Sequence, residues 1–566
     1  MEFGLFNIVQ ILGALAFFIF GMKMMSEGIQ RAAGSQLRNI LKNMTKNRYL
    51  GVFTGFLTTA LVQSSSATTV MTVSFVNAGL LSLVESAGVM MGANIGTTIT
   101  GWLVSILGFK VKMKVLSIPL FAVALPMMFS RKTKFKYWGE FIAGFAILFL
   151  GLSYLKGAVP DLKHNADALN WLKSFTEYGI FSRLFFVLVG TIITIVVQSS
   201  SAAMAITLTM CANGWLPFEV AAAMILGENI GTTITAELAS IVGNTNAKRS
   251  ARIHSIFNII GVTWMVIILP WFLPVLINVM GSISGFFGFS VGDPYANGAD
   301  MPIALSGFHT AFNLANVILL LGFVPWLVKA AIWSVKQKED EDDIKVQFIN
   351  NFIGTPELAV VELQKETAHF GEIVSRMNRY TKELINATEV KTRQKKLKKL
   401  TKYERISDEI EIEITEYITK LSDQELTPGT SLIFRSALNI CNDLERIGDI
   451  YFQISKAIED KNDKKIWFDQ AQRDNINEML DKVEEAFTLM VINLESDYSS
   501  VNTVQARKIE DEINILRNTF RKQNTEKLGS KDYNIKSAMV YNNIFSSLER
   551  VGDHIINVTE SVAGEI

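Results

Sequence analysis

The sequence predicts an all-α protein of two parts: a polytopic membrane domain with inverted repeats and re-entrant hairpins, followed by a soluble helical bundle. Long apolar stretches occur only in residues 1–333, and short motifs repeat within each part. The two parts also differ in charge. Residues 1–333 hold 21 basic and 12 acidic residues, whereas residues 334–566 hold 33 basic and 42 acidic residues. The net charge of zero is therefore a cancellation of +9 against −9, and it indicates nothing about partners.

The composition excludes several classes of protein. With 49% hydrophobic residues and a mean hydropathy of +0.27, the chain is neither a simple soluble enzyme, nor collagen-like, nor disordered. Its two cysteines, Cys211 and Cys441, are too far apart in sequence to suggest a disulfide framework or a metal-binding spacing.

Seven stretches are long and apolar enough to cross about 30 Å of hydrocarbon. They lie near residues 4–25, 86–109, 114–129, 137–157, 217–242, 254–278 and 304–333. Two further apolar runs, 49–80 and 180–212, contain polar breaks and are interpreted as re-entrant hairpins. Basic residues concentrate in 26–48, 131–136 and 248–252. This bias predicts an inner (plasma) membrane protein with its N-terminus outside and its C-terminal domain in the cytoplasm.

Two motifs recur in the membrane domain, and both recur at the same offset along the chain. Gln-Ser-Ser-Ser-Ala occupies 63–67 and again 198–202, and Gly-x-Asn-Ile-Gly-Thr-Thr-Ile-Thr occupies 92–100 and again 227–235. Three predicted crossings separate the two broken runs, so the copies, about residues 1–130 and 131–333, are expected to be antiparallel. Inverted repeats whose broken helices meet near the midplane are typical of secondary transporters.

The polar breaks indicate an anion site. Uncompensated polar groups are costly in lipid, so such a run is expected only within protein or beside water. The alternative is interhelical hydrogen bonding, which single Ser and Thr residues commonly provide. Consecutive hydroxyls and amides at a helix start are suited to an oxyanion. The predicted substrate-binding residues are Gln63, Ser64, Ser65, Ser66, Gln198, Ser199, Ser200 and Ser201.

The same segments predict co-bound cations. Apart from Lys110, Lys112 and Lys114 near a membrane edge, no Lys or Arg lies close to either motif, so a dianion needs another source of charge compensation. Glycines are expected to allow broken helices whose carbonyls bind Na⁺; the alternative is tight helix packing. Glu228 could instead carry a proton or pair with a polar neighbour. The predicted sodium-binding residues are Thr68, Asn94, Thr97, Thr98, Glu228, Asn229, Thr232 and Thr233.

The acidic second part is predicted to be a charged linker, 334–354, and a bundle of about six helices, 355–566. Leu-Glu-Arg-x-Gly-Asp occurs twice, at 444–449 and 548–553, and marks two similar halves. Carboxylates four residues apart share one helix face, where they either bind an oxygen-preferring metal or form a solvated acidic stripe. These carboxylates are Glu404, Asp408, Glu445, Asp449, Glu549 and Asp553.

These motifs resemble two known families. The paired Gln-Ser-Ser-Ser and Gly-x-Asn-Ile-Gly-Thr-Thr motifs resemble the bacterial type II sodium/phosphate cotransporters over about residues 1–333. The repeated Leu-Glu-Arg-x-Gly-Asp resembles PhoU, a helical bundle of phosphate signalling, over about residues 355–566. The first resemblance implies phosphate at the serine turns with Na⁺ nearby, and the second implies a divalent or iron-type metal. Arg507 and Asp511 stand where the first half has Glu404 and Asp408, so one metal cluster is expected to be incomplete.

The predicted function is a secondary active transporter that couples inorganic phosphate movement to a sodium gradient by alternating access, and not an enzyme. No nucleotide loop of the G-x-x-x-x-G-K-[ST] type occurs, which argues against an ATP-driven pump. The alternatives are a phosphate exporter, a carrier of another anion and a non-transporting phosphate-sensing membrane receptor. Inorganic phosphate and the lipid bilayer are the expected partners, without nucleic acid. A homo-oligomer and a phosphate-signalling partner of the C-terminal domain stay open.

Overall fold

A computed structural model describes most of the chain as two compact units, Met1–Lys338 and Glu339–Ile566. The described residues are 5–44, 47–77, 79–110, 113–158, 179–241, 243–287, 300–336, 346, 348–349, 356–424, 426–496, 498, 501, 503–528 and 533–565. Most of the predicted linker, 334–354, lies outside them. The described regular structure is entirely helical, in agreement with the predicted fold class.

Twelve α-helices are described in the first unit, and a π-helix, Val104–Lys110, continues the fourth. They are α1 (Leu5–Met44), α2 (Arg48–Val62), α3 (Ser65–Asn77), α4 (Leu83–Leu103), α5 (Met113–Met128), α6 (Thr133–Ala158), α7 (Ile180–Val197), α8 (Ser200–Ala212), α9 (Phe218–Ser240), α10 (Thr245–Phe287), α11 (Met301–Leu321) and α12 (Val324–Ser334). The two apolar runs with polar breaks are α2–α3 and α7–α8, and each is interrupted at its Gln-Ser step, as predicted.

Six described helical segments are long and apolar enough to span a membrane, against seven predicted crossings. They are Val9–Ala33, Leu83–Phe109, Thr133–Ala158, Ile180–Val197, Thr245–Ser282 and Met301–Leu321. Helix α5 is too short, with 16 residues and two internal prolines, and α9, which carries three glutamates, is not among the six. Helix α7 qualifies although the sequence placed it in a hairpin. The predicted crossing 304–333 is two helices that meet at Gly322.

Glycines bring two helix pairs, α2–α4 and α7–α9, into backbone contact. A Cβ atom on Gly55 would lie 2.0 Å from a carbonyl oxygen of α4, and one on Gly190 would lie 2.1 Å from a carbonyl oxygen of α9. Across the contacts, a Cβ atom on Gly92 or Gly227 would lie 2.0 Å from a carbonyl oxygen of α2 or α7. Both glycine pairs keep the constant offset of the two motifs. Helices α4 and α9 are continuous here, so the expectation of broken helices with free carbonyls was wrong, and close packing explains these glycines.

The second unit contains six described helices in two halves, as predicted. They are α13 (Pro356–Asn386), α14 (Val390–Ser422), α15 (Pro428–Asp463), α16 (Gln470–Glu495), α17 (Val504–Lys527) and α18 (Ile535–Ala563). Helix α13 begins at Pro356, where a fixed φ suits the first turn. Apolar side chains of all six helices form one core, which includes the buried rings of Tyr451, Phe487 and Phe545.

Candidate functional site

The two Gln-Ser-Ser-Ser turns have the same backbone geometry. Gln63 has φ 57° and ψ 28°, and Gln198 has φ 55° and ψ 23°, so both lie in the left-handed region. Each side-chain amide folds back onto its own helix: Gln63 Nε2 donates to Ala60 O at 2.5 Å, and Gln198 Nε2 donates to Ile195 O at 2.6 Å. A non-glycine residue in this region costs about 1–2 kcal/mol, and such strain concentrates at functional sites.

A serine of each turn caps the N-terminus of the helix that follows. Ser64 Oγ accepts a hydrogen bond from Ala67 N, and Ser199 Oγ accepts one from Ala202 N, both at 3.2 Å. The serines that follow therefore lie in the first turns of α3 and α8. Backbone N–H groups there lack helical partners, and the helix dipole favours negative charge.

A single cavity of about 280 Å³ lies between the two turns. It is lined by all eight predicted substrate-binding residues, Gln63, Ser64, Ser65, Ser66, Gln198, Ser199, Ser200 and Ser201. One water needs about 10–15 Å³ of such space, so a tetrahedral anion fits with room to spare. The structure thus brings together two segments that are far apart in the sequence, and their role in binding stays a prediction.

Helix α1 forms the rest of the cavity wall and was missed from the sequence. The basic segment 26–48, a pattern typical of a cytoplasmic loop, is instead largely helix, since α1 continues to Met44. Its polar stripe, Lys23, Ser26, Glu27 and Gln30, lines the cavity at helical spacing. The expectation that no basic side chain reaches the anion site was therefore wrong. Lys23 Nζ lies 3.7 Å from Glu27 Oε1, however, and Glu27 Oε2 lies 3.5 Å from Arg31, which lies 3.6 Å from Glu140. This cluster of two basic and two acidic side chains adds no net charge. Polar residues at i, i+3, i+4 and i+7 within an apolar helix were the available signal.

None of the predicted sodium-binding residues is among the described residues that line this cavity. The hydroxyls of four of them donate within their own helices, to carbonyls three or four residues earlier: Thr97, Thr98, Thr232 and Thr233. Asn229 Nδ2 does the same to Ile225 O at 3.0 Å. Thr68 accepts from Thr59 Oγ1 at 2.9 Å, just behind the first serine turn. The role of these residues in sodium binding stays a prediction.

Asn94 belongs to a polar network between α4 and α10. Its Nδ2 donates to Asn258 Oδ1 at 2.6 Å, and its Oδ1 lies 3.2 Å from His254 Nε2. These hydrogen bonds join α4 to α10.

Glu228 is a buried carboxylate between α8 and α9, with 3% of its surface exposed. Thr207 Oγ1 donates to Glu228 Oε1 at 2.7 Å. No basic side chain pairs with it among the described residues. A buried carboxylate with one hydroxyl donor needs a cation or a proton, because an unpaired buried charge is costly.

Gln63 connects the cavity to the second motif. Thr100 Oγ1, in the Gly-x-Asn-Ile-Gly-Thr-Thr-Ile-Thr segment, donates to Gln63 Oε1 at 3.0 Å. Both polar atoms of this side chain thus form hydrogen bonds within the protein, and the role of Gln63 in substrate binding stays a prediction.

The second unit gathers a cluster of three carboxylates. Asp408 of α14 and Glu445 and Asp449 of α15 offer oxygens that lie within 4.8 Å of one another. Burial, together with repulsion from Asp449 and other carboxylates, raises the pKa values of Asp408 and Glu445. Burial and the charges of Asp408 and Asp449 also raise the pKa of Glu404. Three half-buried oxygen donors on two helices fit a divalent cation.

The second half of the bundle differs at the equivalent place. Arg517 Nη2 lies 2.9 Å from Glu549 Oε1, so a cation of the protein already binds this carboxylate. Glu510 is the acidic neighbour of Glu549 and Asp553, and burial and these carboxylates raise its pKa. Arg507, which aligns with Glu404, pairs instead with Glu560.

Comparison with known proteins decides the family. The Na⁺/Pi-cotransporter family model matches residues 17–157 and 165–289, and the PhoU domain model matches 367–458 and 476–562. The first unit belongs to the Na⁺/Pi-cotransporter family. The second unit contains a PhoU domain.

Three relatives differ in how much of the chain they match. YjbB of Escherichia coli (strain K12), named a candidate inorganic phosphate export protein, is 24% identical over 98% of this chain and 97% of its own length. YqeW of Bacillus subtilis is 27% identical over 56% of this chain and 94% of its own length. Human sodium-dependent phosphate transport protein 2B is 36% identical over 106 residues, 18% of this chain and 15% of its own length. No solved structure matches the chain.

Proposed function

We propose that this chain is a secondary active transporter that couples inorganic phosphate movement to a sodium gradient by alternating access. The observation that supports it best is the cavity lined by both Gln-Ser-Ser-Ser turns. Phosphate is recognised there by serine hydroxyls and by the N-terminal amides of α3 and α8. Two repeats that each contribute a serine turn to one site can expose it to either side by rocking against each other.

Sodium coupling follows from the charge of the site. Lys23 is the one basic side chain among the described residues of the cavity wall. The ion-pair cluster around it has two basic and two acidic side chains and no net charge, so helix dipoles are the main attraction for a dianion. Dipoles of about half a charge each do not balance two negative charges in a low dielectric. Co-bound Na⁺ supplies the difference. Glu228 beside Thr207 is the carboxylate of the described membrane unit best placed to hold one such ion.

Reconstituted flux is the test of this function. Purified full-length chain in liposomes is expected to move radiolabelled phosphate in the direction of an imposed Na⁺ gradient, and not in an equal K⁺ gradient. Tight phosphate binding without flux in either gradient would instead support the sensing receptor.

Glu228→Gln is expected to raise the Na⁺ concentration for half-maximal phosphate flux by about tenfold or more, because a neutral amide loses a direct charge interaction worth at least about 1.4 kcal/mol. Flux measured over a Na⁺ series checks this. Glu219→Gln is the matched control, since Glu219 is an exposed residue in the first turn of the same helix. An unchanged Na⁺ dependence in Glu228→Gln would remove this residue from the coupling site.

Export is the second direction to consider, because the relative YjbB, which matches nearly the whole chain, is named for phosphate export. Flux assays with phosphate placed inside or outside the liposomes decide the direction.

We place the protein in the inner (plasma) membrane with its N-terminus outside and the PhoU domain in the cytoplasm. The basic stretches 131–136 and 248–252 support a cytoplasmic position for the segments that contain them. An outside N-terminus with a cytoplasmic PhoU domain requires an odd number of crossings, so this orientation needs one crossing besides the six described spans.

We further propose that Asp408, Glu445 and Asp449 bind a divalent cation that stabilises the PhoU domain. Without a cation, the raised pKa values mean that the folded state binds protons more tightly than the unfolded state. Stability then falls as the pH rises above the ordinary carboxylate range of about 4. A cation removes this repulsion, and at 100 times its dissociation constant it adds about 2.7 kcal/mol.

Mn²⁺ is therefore expected to slow hydrogen exchange in α14 and α15 at pH 7, and Asp449→Asn is expected to abolish this effect. In metal-free buffer, Asp449→Asn is expected to exchange more slowly than the unchanged protein at pH 7, since one repelling charge is gone. Asp463→Asn, at the exposed end of the same helix, is the control. Equal protection by Mn²⁺ in Asp449→Asn and in the control would exclude this site.

A further inference from the structure

We propose that the PhoU domain has an anion-binding site, separate from its acidic cluster, that takes a phosphate group. A cavity of about 190 Å³ lies where the loop between α13 and α14 meets the loop between α15 and α16. Three basic side chains, Arg393, Lys461 and Arg473, line it. No acidic side chain is among the described residues of its wall, and none of the three cations forms an ion pair with a described residue.

Lys461 is the buried member of the three, with 7% of its surface exposed. Its Nζ donates to Ile466 O at 3.1 Å and lies 4.6 Å from the ring centre of Phe468. Burial and the charges of Arg473 and Arg393 lower its pKa to about 8. A lysine held among two arginines without a carboxylate is stabilised by an anion that binds between them.

Arg393 provides a second, independent indication. Its Nη2 donates a long hydrogen bond of 3.5 Å to Thr388 O, and its Nε, which is shielded from solvent, has no described partner. A buried guanidinium N–H normally has an acceptor. An oxyanion in the cavity would supply that acceptor, because guanidinium groups bind phosphate through two parallel N–H donors.

The cavity also limits the chemistry of the ligand. Three converging cations suit an anion of more than one negative charge, which favours a phosphate group over a carboxylate. The space exceeds that of one phosphate, and the ring of Trp467, 57% exposed, borders it. The group could thus belong to free inorganic phosphate or to a phosphate ester with an apolar or aromatic portion. Both share the phosphate chemistry, and the experiment separates them.

Local hydrogen exchange of the full chain in nanodiscs tests the site without interference from the membrane cavity. Inorganic phosphate or AMP, each at about 5 mM and matched in ionic strength with NaCl, is expected to slow exchange about threefold or more in residues 384–393 and 458–473. A larger effect of AMP than of inorganic phosphate would assign a phosphate ester, and an equal effect would assign free phosphate. Failure of both to slow exchange there would overturn the proposal.

Variants tie the effect to the three cations. Lys461→Met is expected to abolish the local protection, whereas Lys456→Met, an exposed lysine of the same helix that pairs with Glu459, is expected to keep it. Arg473→Gln changes an exposed position, so it is expected to fold even if Lys461→Met does not. It is expected to raise the ligand concentration that gives half-maximal protection about tenfold. Full protection in Arg473→Gln and in a folded Lys461→Met would overturn the proposal. Phosphate flux in liposomes is expected to persist in Arg473→Gln, so the outcome does not depend on the transport proposal.

Discussion

Ser199→Asp is expected to abolish phosphate flux while the protein still folds, and Ser64→Asp is expected to do the same in the other repeat. Both serines line the cavity and cap the helices that begin there. Aspartate is as good a helix cap as serine, and its charge suits a helix N-terminus. The same charge repels a phosphate dianion 5–10 Å away by about 3–6 kcal/mol at an effective dielectric constant near 20, which is at least about a hundredfold in affinity.

Asparagine separates charge from shape in this test. Ser199→Asn and Ser64→Asn keep a capping oxygen and add similar bulk without charge, so they are expected to retain flux within about tenfold of the unchanged protein. Uptake of radiolabelled phosphate into liposomes, normalised to the amount of monodisperse protein, gives the comparison. Equal flux in the aspartate and asparagine variants would contradict an anion site between the serine turns.

The turns themselves could be predicted because their chemistry is local. A glutamine and three serines inside an apolar run have few structural roles, and their repetition at the same offset as the glycine motif pairs them before any coordinates are known. The wall from α1 could not be predicted in the same way. Lys23 and Glu27 stand near a cluster of basic residues, and that pattern is typical of a cytoplasmic loop. Only the path of α1 to Met44 places them beside the serine turns.

The glycine motif shows what a sequence pattern leaves ambiguous. Gly92 and Gly227 suit either a broken helix or a close helix contact, because both need a residue without a Cβ atom. The choice depends on the partner helix, whose own glycines, Gly55 and Gly190, belong to no recognised motif. In the PhoU domain the carboxylate pairs were visible from spacing, but the meeting of Asp408 with Glu445 depends on how α14 packs on α15.

Gly55→Ala and Gly190→Ala are expected to destabilise the membrane domain by about 2–4 kcal/mol each, a large effect for one methyl group. The added carbon would lie 2.0–2.1 Å from a carbonyl oxygen of the facing helix. A backbone carbonyl cannot rotate away as a side chain can, so the two helices must separate. The separation has to exceed about 1 Å, because the carbon–oxygen distance falls short of van der Waals contact by about that much. Thermal unfolding of the purified protein in detergent measures this loss.

Gly13→Ala is the matched control, because Gly13 also lies within a membrane helix but faces no atom within 4 Å. There the methyl group is expected to be neutral or to stabilise the helix by up to about 1 kcal/mol, as alanine does in helices. Since Gly55 and Gly190 are equivalent in the two repeats, their variants are expected to lose similar stability and to widen the cavity from opposite sides. Unchanged thermal stability of Gly55→Ala would contradict the backbone contact between α2 and α4.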